Sequence, residues 1–147
     1  MNYKKKTKEK SILFLNLLKF KNNIKYYTII YMSCLFDSMA LFLKLDGFTV
    51  RQKICDYLEQ NNPIMEGIET KDILLIEDPE YIRKMRNTVT FGGAPEIRAS
   101  CNIWNIKIIV YINSDHSKQI DFIPINNCYK GYIELEWQGN HYIPIKN

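Results

Sequence analysis

The spacing of apolar residues changes character once along the chain. As far as about residue 105, apolar positions recur every three or four residues. From residue 106 they gather in short β-branched runs. Leu35, Phe36, Met39, Phe42 and Leu43 predict a helix over about 34–45. Ser33 is its N-cap and Asp46-Gly47 its stop, the glycine suiting a left-handed C-terminal position. Val50, Ile54, Tyr57 and Leu58 predict a second helix over about 50–61, capped by Thr49 and broken at Asn61-Asn62-Pro63. Residues 63–78 show no clean period. Asp78-Pro79 starts another helix that ends near Asn87, because proline suits the first helical position. A loop with two glycines fills 88–93, and Pro95 opens a helix to about Asn105. Strands are predicted over 106–112, 119–124, 132–137 and 141–145. Helices first and a meander of strands last predict an α+β domain with an antiparallel or mixed sheet of four to five strands.

Composition supports an ordered fold. The 147 residues are 46% hydrophobic and 13% aromatic, enough for one domain with its own core. The net charge of +4 is misleading. Eight lysines stand against Glu9 within residues 1–25, so the rest of the chain is net negative. Residues 1–25 therefore divide off as a basic tail, with a short helix over 11–20, and 26–147 as the domain. The domain carries no basic footprint for nucleic acid. The apolar stretch from Ser11 to Leu18 is too short for a membrane span, and Lys19 and Lys21 follow it without a cleavage site. A monomeric cytoplasmic protein with reduced thiols is expected. Cys34, Cys55, Cys101 and Cys128 have no metal-binding spacing, so no metal site is predicted.

Two segments carry the candidate chemistry. Cys34 opens the first helix, where the helix dipole and a nearby imidazolium would favour a thiolate. His141 opens the last strand. On their own, a cysteine is most often a small buried hydrophobe and a strand histidine is of no consequence. His116, in a polar turn, is the second candidate for a general base.

The order of motifs resembles the ovarian tumour (OTU) family of cysteine proteases, most of which are deubiquitinases. Cys34-Leu35-Phe36 is similar to the end of that family's Asp-Gly-Asn-Cys-Leu-Phe motif. Val50-Arg51, Ile54 and Tyr57-Leu58 resemble its next helix. Thr90-Phe91-Gly92-Gly93, with Glu96-Ile97 and Ala99, resembles its Thr-Trp-Gly-Gly segment. Ile108–Tyr111, Ile133-Glu134-Leu135 and His141-Tyr142 resemble its closing strands. The resemblance covers about residues 31–144. It implies a papain-type fold and a thiol-dependent hydrolase acting after the Gly-Gly terminus of ubiquitin or a ubiquitin-like protein. Cys34 would be the nucleophile and His141 the base, with the oxyanion near Ser33 and no cofactor. Phe91, Gly92 and Gly93 would wall the channel for the Gly-Gly tail. Asp78, Glu80 and Glu96 become candidate acceptors for the arginine that precedes that tail.

Two departures from the family pattern stand out. Tyr31-Met32-Ser33 replaces Asp-Gly-Asn, which touches the loop that builds the oxyanion hole. Ile143 stands where many members have Asp or Asn to orient the histidine. Asp37, one turn after Cys34, and Asn140, beside His141, are the candidate substitutes. The alternative is an OTU-like pseudoenzyme that binds ubiquitin or a partner without cutting it.

Overall fold

The computed structural model describes residues 33–145. The basic tail, its short helix and Tyr31-Met32 lie outside the described residues. Five helices precede four strands: α1 (Cys34–Leu43), α2 (Gly47–Glu59), α3 (Thr70–Glu77), α4 (Tyr81–Met85), α5 (Ala94–Trp104), β1 (Lys107–Tyr111), β2 (Gln119–Phe122), β3 (Tyr132–Trp137) and β4 (Tyr142–Ile145). The fold is the α+β arrangement that the change of period predicts.

Helix boundaries shift where side chains compete for the backbone. Lys44, at φ 55°, takes the left-handed position that ends α1. Asp46 instead caps α2: its carboxylate accepts the Thr49 N–H at 2.8 Å and the Thr49 hydroxyl at 2.7 Å. Gly47 is thus the first residue of α2 rather than the stop of α1. A Cβ at Gly47 would stand 1.9 Å from Asp37 Oδ1, so any other residue there requires the Asp37 side chain to swing away. Ser33 occupies the N-cap position of α1 but makes no capping bond with its side chain. The unassigned stretch 63–78 contains α3, and the helix expected after Pro79 shrinks to α4.

The sheet order is β2-β1-β3-β4. β1 pairs antiparallel with β2 and parallel with β3; β3 pairs antiparallel with β4. The strands therefore do not form a simple meander. After β2 the chain passes under the start of β1, where Asn102 Oδ1 accepts the Ile125 N–H and the Asn105 carbonyl accepts the Lys130 N–H. It then enters β3 on the far side of β1. Because β1 and β3 are parallel, the loop after β1 and the β3–β4 hairpin lie at the same end of the sheet.

One face of the sheet, with Ile108, Val110, Ile133 and Leu135, joins Phe36 and Met39 of α1, Val50 and Ile54 of α2 and Ile97 of α5 in a single buried core. Each fully buried side chain of this size contributes about 1.5–3 kcal/mol through apolar burial. Trp104 and Trp137 pack against the same core. No described helix is long and apolar enough to cross a membrane, and no cluster of His, Cys, Asp and Glu suited to a metal ion occurs among the described residues.

Candidate active site

α1 begins at Cys34, and its first turn docks on the outer strand of the sheet. The Tyr142 N–H donates to Cys34 Sγ at 3.3 Å. One turn further on, Ser38 Oγ donates to the Tyr142 carbonyl at 3.2 Å. Both polar backbone groups of Tyr142 are thereby held by residues i and i+4 of one helix face. His141 is the residue before Tyr142, so the segments that carry the candidate nucleophile and base touch although most of the chain separates them. A two-residue turn delivers the histidine. Gly139 adopts φ +81°, which glycine takes without steric cost, and the Gln138 N–H donates to the His141 carbonyl at 2.9 Å.

Electrostatics distinguish the three buried thiols. Burial pushes Cys55 and Cys101 up to about 12, which makes them inert. Burial also raises Cys34, and the Asp37 carboxylate adds to it, but the Tyr142 and Leu35 N–H groups pull in the opposite direction. Burial lowers His141 below its ordinary value. Both directions favour the uncharged forms, thiol and neutral imidazole, over the ion pair that a helix-start cysteine suggests by itself.

The remaining residues predicted for the site fall in distinct places. Ser33 Oγ donates to the Thr88 carbonyl at 3.4 Å and accepts from Arg51 at 3.3 Å, so it ties α1 to the glycine loop. Asp37 lies against the backbone of Gly47 at the start of α2, while Ser38 faces β4. Asn140 is exposed in the hairpin turn. His116 stacks on Tyr111, with ring centroids 4.2 Å apart, and its Nε2 lies 2.8 Å from the buried carboxylate of Glu136. It is therefore engaged with Tyr111 and Glu136, whereas Tyr142, next to His141, holds Cys34. Ile143 pairs across the strands with Glu136.

Gly92 must be glycine because a Cβ would come within 2.8 Å of Leu35 Cδ2 and Phe36 Cζ. The glycine loop is therefore pressed onto the two residues that follow Cys34. Phe91, Gly92 and Gly93 line a cleft of about 430 Å³ together with Glu77, Asp78 and Tyr81. Glu96 cannot receive a substrate cation from this cleft. It is fully buried, and its two oxygens accept the Gly93 N–H at 2.7 Å and the Tyr81 hydroxyl at 2.8 Å. Asp78 pairs with Lys84, and Glu80 pairs with Arg83 at 2.8 Å.

For three residues the structural role was not legible in the sequence. Arg51 is fully buried, lies 3.9 Å from the Phe36 ring centroid, and donates to the carbonyls of Met85, Asn87 and Thr90 at 2.9–3.1 Å. Glu96 fixes Gly93 from below. Ser38 carried one legible signal, its i+4 spacing from Cys34.

Comparison with known proteins agrees with this fold. The chain superposes on an ovarian tumour (OTU) domain solved in complex with ubiquitin, with a TM-score of 0.61 and 23% identity over 76% of this chain. It spans 62% of that protein's length. It also superposes on the OTU domain of OTUD1, with a TM-score of 0.55 and 17% identity, covering 78% of this chain and 79% of the other. No curated protein sequence matches the chain significantly. The family model for OTU-like cysteine proteases matches residues 33–143, from the residue before Cys34 to Ile143, and the chain belongs to that family.

Proposed function

We propose that this protein is a thiol-dependent hydrolase that cleaves the bond after the C-terminal Gly-Gly of ubiquitin or a ubiquitin-like protein. The observation that carries this reading is the contact of the Tyr142 N–H, from the residue that follows His141, with Cys34 Sγ at a helix N-terminus. Cys34 attacks the terminal glycine carbonyl while His141 takes the thiol proton. An S–C bond forms, the C–N bond breaks, and the leaving amine receives the proton from His141. Water then attacks the thioester, releasing the carboxylate and restoring the thiol. The N–H groups of the first turn of α1 face the developing oxyanion, since Ser33 does not cap them with its side chain. Gly92 lies against Leu35 and Phe36, the residues that follow Cys34, and a loop without a side chain there suits a Gly-Gly tail.

A ubiquitin derivative with a C-terminal electrophile tests this reading. Covalent labelling at Cys34, lost in Cys34→Ala, is the expected result. A second reading, a binding module without turnover, is favoured by Ile143 at the orienting position and by the raised Cys34 thiol. Tight ubiquitin binding with neither labelling nor cleavage would decide for the module.

A further inference from the structure

We propose that Ser38 is a positioning residue of the cysteine site: by holding the Tyr142 carbonyl, it fixes the separation of Cys34 and His141. The inference deepens the hydrolase reading and rests on it, although the clamp itself can be measured without any ubiquitin substrate.

β4 is the outer strand of the sheet, and on its open side Tyr142 presents one N–H and one C=O. α1 meets that pair with two side chains one turn apart. Cys34 Sγ accepts the N–H at 3.3 Å, and Ser38 Oγ donates to the C=O at 3.2 Å. The sulfur contact alone is a weak tether, because thiols are poor acceptors. It is also a contact that the reaction consumes, since the same sulfur must attack the substrate. The hydroxyl contact takes no part in the chemistry. Ser38 itself is 4% exposed, which limits competition from water at the hydroxyl. Ser38 can thus keep β4 in register with α1 while the sulfur moves. A one-turn offset also suits the geometry. Residues i and i+4 of a helix lie one above the other, and the two polar groups of one strand residue point to the same side.

The clamp also bears on the thiol. The Tyr142 N–H favours the charged sulfur. If the Tyr142 carbonyl is released, β4 moves away from α1 and that N–H is lost with it.

The test uses the whole chain. Ser38→Ala and Ser38→Thr are compared with wild type in two assays: kcat and KM on a fluorogenic ubiquitin C-terminal amide, and the pH dependence of Cys34 alkylation by chloroacetamide, read at that residue by mass spectrometry. Ser38→Ala is expected to lower kcat about 10-fold with KM within twofold, and to move the alkylation midpoint upward. Ser38→Thr, which keeps the hydroxyl, restores most of both. A folded Ser38→Ala with wild-type kcat and an unchanged alkylation profile overturns the proposal. If no form of the protein cleaves, the hydrolase reading fails, but the alkylation shift still reports on the clamp. Amide exchange at Tyr142 in wild type covers the case in which Ser38→Ala does not fold. Slow exchange on this outer strand is expected, and exchange as fast as in an open strand edge overturns the clamp.

Discussion

On the nucleophile side of the site, one buried guanidinium gathers the chain around itself. Arg51 stacks on Phe36, holds three carbonyls between residues 85 and 90, and reaches Ser33 beside the cysteine. On the histidine side, a two-residue turn and an outer strand carry His141, and the described bonds to α1 are the pair made by Tyr142. The first region is over-determined by buried polar contacts; the second depends on register. The difference teaches where each kind of change should act. Damage near Arg51 should appear as lost stability, and damage near β4 as lost rate.

The largest expected effect breaks the first region. Arg51→Ala leaves several buried carbonyls without their donor and a void under Phe36, so it should cost on the order of 3–5 kcal/mol in urea unfolding. A loss below about 1 kcal/mol would mean that the glycine loop holds itself.

Two glycines give a sharper contrast. Gly92→Ala forces a Cβ against Leu35 and Phe36 and should cost about 1–3 kcal/mol. Gly93→Ala meets no atom within 4 Å and should change stability by less than about 0.5 kcal/mol. Thermal unfolding of both variants, side by side, checks the difference.

The histidine side responds in rate. From the sequence, an acid at position 143 looks like the way to orient His141. The pairing of Ile143 with Glu136 changes that expectation, because Asp there would face a buried carboxylate across the strands. Ile143→Asn should raise kcat/KM about 10-fold, one hydrogen bond of about 1.4 kcal/mol. Ile143→Asp should gain less and melt lower. Equal gains from both would show that Glu136 is protonated or turned away.

The smallest effects are titrations. Asp37→Asn removes a carboxylate that raises the Cys34 thiol, so the alkylation midpoint should move down. Burial lowers His141, so the acid limb of kcat/KM should fall below the usual histidine value of 6.5. The sign for stability follows. The unfolded chain binds this proton more readily than the folded one, so the His141 contribution is constant above pH 6.5 and declines as pH drops below it. An acid limb above 6.5 would mean that a carboxylate outweighs burial at the imidazole.

Local order in the sequence determined much of this protein. Leu35, Phe36 and Met39 at helical spacing, and Ile108 and Val110 in alternation, place α1 and β1 within a residue or two, because period and burial are properties of a few consecutive residues. The succession of motifs from Cys34-Leu35-Phe36 to His141-Tyr142 was enough to indicate the family. The caps were misread where one residue could serve two neighbours: Asp46 could end α1 or begin α2, and only its bonds to Thr49 decide. Tertiary structure alone decided three things. It set β1 and β3 parallel, which brings both histidines to one end of the sheet and gives His116 to Glu136. It buried Arg51 and Glu96, whose charges suggest a surface until the backbone groups they satisfy are seen. And it turned Ser38, rather than Asp37, toward β4, since residues three and four positions after Cys34 differ by about 100° around the helix and only the packed neighbour selects between them.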